Sequence, residues 1–180
     1  MLLPLAAAVA VAGAIVWSRV VADDGDDVVL ITPGEYADPA STNAENAGDV
    51  FPSFELTGAD GAAVSLAPGD RPLVVNLWYS TCPPCSRELA AFGTVASDLS
   101  DEVRFVGVNP LDDAETMVSY AADRGVDYEL LMDPDEFVGT EFGVLQYPVT
   151  FFVATDGEII AQTGVLSEDE LREQIVELVA

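Results

Sequence analysis

The sequence predicts an α/β fold in which helices flank a central mixed β-sheet and a β-hairpin precedes that sheet. Apolar residues, interrupted only by Asn76, fill positions 73–78, as is typical of a strand covered on both faces, and apolar residues at helical spacing follow. A second strand-then-helix pattern comes later, and Asp156-Gly157, a hairpin turn pair, joins two further strands. Strands and helices that alternate in this way build a sheet with helices packed on it.

The N-terminal 22 residues are predicted to be a transmembrane anchor. No charged side chain comes before Arg19, and residues 1–22 would form a helix of about 31 Å, just enough to cross a bilayer. A signal peptide cleaved after Ala22 is the alternative. Trp17 and Arg19 argue against cleavage, because a cleavage site prefers small neutral residues at these positions.

A linker and one folded domain are predicted after this segment. Residues 23–49 are interpreted as an acidic flexible linker, because their proline, glycine and polar residues show no sustained helix or strand period. The domain is predicted to span residues 50–180. It begins with a hairpin, in which short apolar runs flank the turn residues Gly58-Ala59-Asp60-Gly61.

The first half of the domain continues with two buried strands, each followed by a helix. The strand at 73–78 leads into a helix whose apolar positions are Leu89, Phe92, Val95, Ala96 and Leu99. A second strand is predicted at 103–108. The helix after it carries Asp113 at its start, where an aspartate caps unpaired backbone N–H groups.

Two strands and a last helix complete the predicted order. The strands lie at 149–153 and 158–162. The helix is predicted to start at Ser167, because Glu170 three residues later completes a capping box. The acidic stretches Asp112-Asp113 and 133–136 lack the spacing of a calcium loop, so they are interpreted as a helix cap and a solvated loop.

The composition limits the class of partner. The chain of 180 residues has 32 acidic residues, six arginines, no lysine and no histidine, which gives a formal net charge of −26. A nucleic-acid partner is excluded, because phosphate binding needs a basic surface. We expect a monomer that docks weakly to basic or neutral partners.

The two cysteines, Cys82 and Cys85, lie in the stretch CPPC where the central strand gives way to a helix. A helix N-terminus stabilises a thiolate through its partial positive charge and free N–H groups, so the first cysteine can be acidic without a histidine. Pro83 and Pro84 suit the first helical turn, where a missing N–H costs little. Such a thiolate can attack a disulfide, and the second thiol resolves the mixed disulfide.

Other roles for the cysteine pair are less compatible with the sequence. A structural zinc site needs four ligands, and a copper site of the usual kind needs histidine, whereas this chain has two cysteines and no histidine. We therefore expect neither a metal nor a cofactor. A purely structural disulfide remains the alternative, although a bridge closing so short a loop constrains the unfolded chain little.

With these motifs together, the chain resembles the thioredoxin superfamily and, within it, the membrane-tethered TlpA/ResA-like branch. The resemblance is carried by FELTGADGAAVSL at 54–66, NLWYSTCPPCSREL at 76–89 and QYPVTFFVATDGEII at 146–160. It implies a thioredoxin-like fold and an extracytoplasmic thiol–disulfide oxidoreductase, a reductase of the cytochrome c maturation type. Two departures from the family pattern occur: Thr81 replaces an aromatic residue, and Ser86-Arg87 stands where the helix residues are often basic.

The resemblance also implies roles for individual residues. Cys82 is the attacking nucleophile, and Cys85 is the resolving thiol. Pro148 matches a cis-proline that faces the disulfide and leaves the backbone of Tyr147 free to pair with an extended substrate segment, with an ordinary trans loop proline as the alternative. Glu88 matches a glutamate near the cysteines and is expected to shuttle protons, with a solvated surface glutamate as the alternative.

Three further residues are expected to contact the substrate, namely Trp78, Pro83 and Pro84. Trp78 matches the aromatic residue that precedes the active-site loop, with plain core packing as the alternative. Asn76 stands where thioredoxins carry a buried carboxylate for proton transfer, a task that an amide cannot perform.

Partners and location follow from the same resemblance. It implies protein disulfides as substrates, apocytochrome c among them, and a membrane electron donor of the DsbD/CcdA kind. The domain would lie outside the cytoplasm, held by the N-terminal helix or secreted if that segment is cleaved. An oxidase that donates disulfides and a non-catalytic binding or chaperone module are the alternatives. A peroxiredoxin is disfavoured, because Tyr79 stands three residues before Cys82, where such enzymes carry a threonine.

Overall fold

A computed structural model describes residues 42–180, so the predicted anchor at 1–22 and most of the predicted linker lie outside the described residues. The strands are β1 (Phe54–Gly58), β2 (Ala63–Leu66), β3 (Leu73–Leu77), β4 (Arg104–Asn109), β5 (Glu129–Met132), β6 (Val149–Val153) and β7 (Ile159–Thr163). The helices are α1 (Pro83–Leu99), α2 (Ala114–Ala122), α3 (Phe137–Glu141) and α4 (Glu168–Leu178). Within the part of the chain that is described, no helix has the length and apolar character that a membrane span requires.

The strands form one mixed sheet in the order β2-β1-β5-β4-β3-β6-β7. Strands β3, β4 and β5 run parallel, and the other neighbours pair antiparallel. In the register, Leu77 lies opposite both Val108 of β4 and Val149 of β6. The ends of the parallel strands and the start of β6 therefore meet at one edge of the sheet, which is where open α/β sheets place their ligand sites.

Three apolar clusters hold the layers together. One face of the sheet packs against α3 through a group that contains Phe51, Val138 and Phe142. The other face packs against α1 and α4 through a group that includes Phe92 and Leu171. The third cluster lies at the edge where the parallel strands end, and its buried members are Trp78, Cys82, Cys85, Leu89, Met117, Ala121 and Val126.

The predicted α/β fold with an N-terminal hairpin is confirmed, and so are its two predicted caps. The side chain of Asp113 accepts a hydrogen bond from Thr116 N at the start of α2. Ser167 and Glu170 form a reciprocal capping box at α4. Strand β5 and helix α3 were not predicted, because the β5 sequence ELLM does not alternate apolar and polar residues and the five residues of α3 are too few to show a helical period.

The interpretation of residues 133–136 as a solvated loop is wrong for Asp133. This side chain is only 1% exposed, and its oxygens accept hydrogen bonds from Phe137 N and Val138 N, both at 2.9 Å. Burial raises the pKa of Asp133, and the two backbone N–H groups oppose that rise. Asp135 and Glu136 are exposed, as expected.

The last residues of the predicted linker contact the domain. Asn43 Oδ1 accepts hydrogen bonds from Leu145 N at 2.7 Å and Gln146 N at 2.9 Å. Asn46 is buried, and its Nδ2 donates to Phe142 O and to Gln162 Oε1. Packed structure therefore begins before the predicted boundary at residue 50.

Candidate active site

Cys82 and Cys85 lie at the N-terminus of α1 and form a disulfide with an S–S distance of 2.04 Å. Cys82 is the N-cap residue, and its Sγ accepts a hydrogen bond from Cys85 N at 3.2 Å. Pro83 and Pro84 occupy the first turn, as predicted from their fixed φ. In the dithiol state, the same N–H group and the helix dipole would stabilise a Cys82 thiolate.

The two cysteines differ little in burial, whereas the two prolines between them differ clearly. Cys82 is 2% exposed and Cys85 is 0% exposed. Pro83 is exposed beside Cys82, whereas Pro84 is buried. A partner that approaches the site therefore meets Pro83 and the Cys82 side of the disulfide first.

Glu88 is fully buried, one helical turn beyond Cys85. Its Oε1 accepts a hydrogen bond from Asn76 Nδ2 at 2.9 Å, and its Oε2 accepts one from Leu166 N at 3.1 Å. Burial raises the pKa of Glu88 from 4.5 to about 8, although both hydrogen bonds and the positive charge of Arg87 act in the opposite direction. The alternative of a solvated surface glutamate is therefore excluded.

The groups around Glu88 include hydrogen-bond donors and also one acceptor that has no partner. Asn76 Nδ2 donates to Thr150 Oγ1 at 3.0 Å as well as to Glu88. Asn76 Oδ1 is buried, with no hydrogen-bond partner among the described residues. A half-turn of this amide would bring Oδ1 to face Glu88 and the Thr150 hydroxyl. In that position Oδ1 could accept a hydrogen bond from a protonated Glu88 and from the hydroxyl. The pocket can therefore accommodate a charged or a neutral Glu88.

Pro148 lies directly before β6 and beside the end of β3. The Tyr147–Pro148 peptide bond is cis, and Pro148 is buried. The ring of Tyr147 packs edge-on against Tyr79, with centroids 5.3 Å apart. Burial, followed by the negative charges of Glu136 and Asp133, raises the pKa of Tyr147 to about 12. Tyr147 thus remains a neutral, half-buried ring at the rim of the site.

Trp78 is buried in the same apolar cluster as the disulfide and does not lie at the surface. Its side chain is 0% exposed and stacks on Tyr120 with ring centroids 6.0 Å apart. A Cβ atom at Gly107 would lie 2.8 Å from Trp78 Nε1, so glycine at this position makes room for the indole. Trp78 and Pro84, both predicted to contact the substrate, present no surface to it in this structure, whereas Pro83 and Tyr147 do.

Sequence reasoning missed the part that Asp112 takes in the site. The carboxylate of Asp112 accepts hydrogen bonds from Ser80, two residues before Cys82. A sequence signal for this contact exists, because Asp112 follows β4 and the cysteines follow β3. Parallel neighbouring strands bring the segments at their carboxyl ends together.

Comparison with known proteins places the chain among thioredoxin-like redox proteins. The AhpC/TSA family matches residues 47–162. Escherichia coli (strain K12) thiol:disulfide interchange protein DsbE is 28% identical over 166 residues, which cover 88% of this chain and 81% of that protein. The structure of MTB dsbF, described in mixed oxidised and reduced forms, has a TM-score of 0.62 and 32% identity, and the match covers 69% of this chain and 94% of that one.

A further relative, from Mycobacterium tuberculosis (strain H37Rv), is named a candidate peroxiredoxin. It is 31% identical over 125 residues, which cover 68% of this chain and 78% of that protein. The present chain carries Tyr79 at the position where a peroxiredoxin would have its threonine, and it keeps both cysteines in one helical turn. Together with the fold and the cysteine geometry, these matches show that the chain belongs to the AhpC/TSA family of the thioredoxin superfamily and is a thiol–disulfide oxidoreductase.

Proposed function

We propose that this enzyme reduces protein disulfides outside the cytoplasm, as a reductase of the cytochrome c maturation type. The observation that supports this direction is the charge around the nucleophile. The carboxylate of Asp112 accepts two hydrogen bonds from Ser80, two residues before Cys82. A strong oxidant of this fold has a stabilised thiolate in its reduced form. The Asp112 carboxylate near Cys82 disfavours that thiolate, so the dithiol becomes a better electron donor.

The reaction begins with attack by the Cys82 thiolate on the substrate disulfide. A bond forms between Cys82 Sγ and one substrate sulfur, and the other substrate sulfur leaves as a thiolate that takes up a proton. Cys85 then loses its proton and attacks Cys82 Sγ. The second substrate thiol is released, and the Cys82–Cys85 disulfide remains. Two electrons have passed from the dithiol to the substrate.

Glu88 is proposed to exchange protons with Cys85 during the second step. Its pKa of about 8 lies close to that of an ordinary thiol, so the proton moves between groups of similar affinity. Asn76 supports both charge states of the glutamate, because its amide carries a donor and an unpaired acceptor. Asn76 thereby contributes to proton transfer without itself titrating.

The substrate is proposed to bind along the loop before Pro148. An extended segment would pair with the backbone of Tyr147, as peptides pair with free strand edges. This place is bordered by the rings of Tyr79 and Tyr147 and by two exposed side chains, Pro83 and Leu145. Leu145 is 77% exposed. Apocytochrome c is one protein substrate that the resemblance implies.

Continuous turnover requires a source of electrons, because each cycle leaves the enzyme oxidised. We assign this role to a membrane electron donor of the DsbD/CcdA kind. Residues 1–22 would keep the domain at the membrane surface, close to such a donor.

The reduction potential of the full chain, equilibrated with defined thiol/disulfide buffers, tests the direction of the reaction. A value near or below about −250 mV, in the range of thioredoxin-type reductants, is expected. A value of about −120 to −180 mV, as in oxidases and isomerases, would contradict the proposal and indicate that the enzyme donates disulfides. Cys82→Ser should abolish insulin reduction, whereas retained biological function in this variant would indicate a non-catalytic binding module.

A further inference from the structure

Asp112 holds the loop that leads to the nucleophile. Its Oδ2 accepts a hydrogen bond from Ser80 N at 2.7 Å, and its Oδ1 accepts one from Ser80 Oγ at 2.6 Å. Charge-assisted hydrogen bonds of this kind are roughly twice as strong as neutral ones. The paired contact fixes both the backbone and the side chain of Ser80.

The carboxylate is itself fixed by the sheet. Asn109, the last residue of β4, is 1% exposed and donates from Nδ2 to Asp112 Oδ2 at 2.7 Å. Asn109 Oδ1 accepts hydrogen bonds from Leu111 N at 3.0 Å and Asp112 N at 2.8 Å. The position of Asp112 is therefore set by a buried strand residue and not by the surface loop alone.

The segment that Asp112 holds is short. Trp78 N still donates to Val108 O of β4 at 3.1 Å, and Cys82 N donates to Tyr79 O at 3.2 Å. Ser80 lies inside this single turn between β3 and the helix. The two hydrogen bonds from Ser80 to Asp112, called the bracket below, therefore restrain the turn that directly precedes Cys82.

We propose that Asp112 is a positioning residue for thiol–disulfide exchange. By fixing Ser80 it holds the turn from Tyr79 to Cys82, so that Cys82 Sγ meets the substrate disulfide in line with the bond to be broken. Displacements of about 1 Å in such alignments reduce rates by up to about a hundredfold. The inference rests on the proposed role of Cys82 as the nucleophile.

Asp112→Asn tests this role, with Asp113→Asn as the charge-matched control. An asparagine at 112 is uncharged, so the bracket loses its charge-assisted hydrogen bonds and loosens, even though the Ser80 hydroxyl can turn to accept from the new NH₂ group. Asparagine at 113 still caps α2. We expect Asp112→Asn to lower kcat/KM for insulin reduction by about tenfold and Asp113→Asn to change it less than twofold. Equal rates in the two variants would overturn the proposal.

Alkylation of the reduced proteins by iodoacetamide separates positioning from loss of the fold or of the thiolate. This small reagent needs a thiolate but no alignment with a disulfide, so its rate with Cys82 in Asp112→Asn should stay the same or rise. A fall in alkylation equal to the fall in insulin reduction would overturn positioning. Modification of Cys85 before Cys82 in the unsubstituted protein would overturn the role of Cys82 on which the inference rests.

Ser80→Ala gives a second, milder test through the same bracket. It removes the Oγ contact and leaves the Ser80 N contact, so we expect about a threefold loss of kcat/KM. The double variant Ser80→Ala/Asp112→Asn should be no slower than Asp112→Asn alone, since both changes act on one contact. Losses that multiply would show that Asp112 acts independently of Ser80 and would overturn the proposal.

Discussion

Glu88 and Asp133 are two buried carboxylates with different surroundings. Glu88 is 0% exposed and Asp133 is 1% exposed, each accepts two hydrogen bonds, and burial raises the pKa of both. Asp133 bonds to two consecutive backbone N–H groups at the start of α3, which can only donate. Glu88 bonds to Asn76, an amide that also carries an unpaired acceptor.

This difference separates a structural carboxylate from one suited to proton transfer. Protonation of Asp133 would set its new O–H group against a fixed donor, so the folded loop resists the change of charge. Protonation of Glu88 can be accommodated by rotation of the Asn76 amide. Burial alone therefore does not mark a proton-transfer group; neighbours that can exchange donor and acceptor roles do.

The largest expected effect is on the pH dependence of stability. The pKa of Glu88 is about 8 in the folded protein, against an ordinary value of 4.5, so between these values the folded state binds a proton that the unfolded state has released. The contribution of Glu88 is full below about pH 4.5 and is lost as pH rises through 8. At about 1.4 kcal/mol per pH unit, this loss is on the order of 5 kcal/mol.

Urea unfolding of the unsubstituted protein and Glu88→Gln at pH 5 to 9 measures this loss. The variant cannot titrate at this position, so the unsubstituted protein should lose stability relative to it as pH rises. Parallel stability curves for the two proteins would show that the pKa of Glu88 is not raised.

Removal of the other carboxylate should have the next largest effect on stability. Asp133→Ala leaves Phe137 N and Val138 N without their acceptor, and we expect a loss of about 3 kcal/mol in the free energy of unfolding. Asp135→Ala, at an exposed neighbouring position, should change it by less than about 0.5 kcal/mol. If both variants unfold at the same urea concentration, the two hydrogen bonds to Asp133 contribute nothing to stability.

Substitution of Glu88 should slow the catalysed reaction strongly, whereas substitution of Asp133 should leave its rate almost unchanged. Glu88→Gln removes the proposed proton acceptor for Cys85, and we expect insulin reduction at pH 7 to slow by about a hundredfold. Asp133→Asn keeps an acceptor for α3 and should change the rate less than twofold when the protein is folded. Similar losses in the two variants would remove the distinction between the sites.

The smallest expected effect concerns Asn43, an exposed counterpart of Asp133. Asn43 Oδ1 also accepts from two consecutive backbone N–H groups, but its amide is neutral and its loop faces solvent. Asn43→Ala should therefore reduce stability by only about 1 kcal/mol in urea unfolding. A loss as large as that of Asp133→Ala would mean that burial and charge add little to the strength of such paired hydrogen bonds.

Local patterns were sufficient to predict much of this molecule from its sequence. The Asp113 cap, the capping box at Ser167 and the cysteine pair at a strand–helix junction each depend on residues close together in the chain. The surroundings of Glu88 could not be predicted, because the N–H donor of Leu166 is 78 residues away. The contact of Asn43 with Leu145 likewise joins residues 102 positions apart. The contact of Asp112 with Ser80, 32 positions apart, differs, because the parallel pairing of β3 and β4 brings these two segments together.

The burial of Trp78 beside the redox pair has an optical consequence. Its indole belongs to the same apolar cluster as Cys82 and Cys85, and a disulfide quenches an excited indole by accepting an electron. Emission from Trp78 should therefore rise when the disulfide is reduced. The chain's other tryptophan, Trp17, lies outside the described residues, so Trp17→Phe would leave Trp78 as the sole fluorophore of its kind. The enzyme would then report its own oxidation state without any added dye.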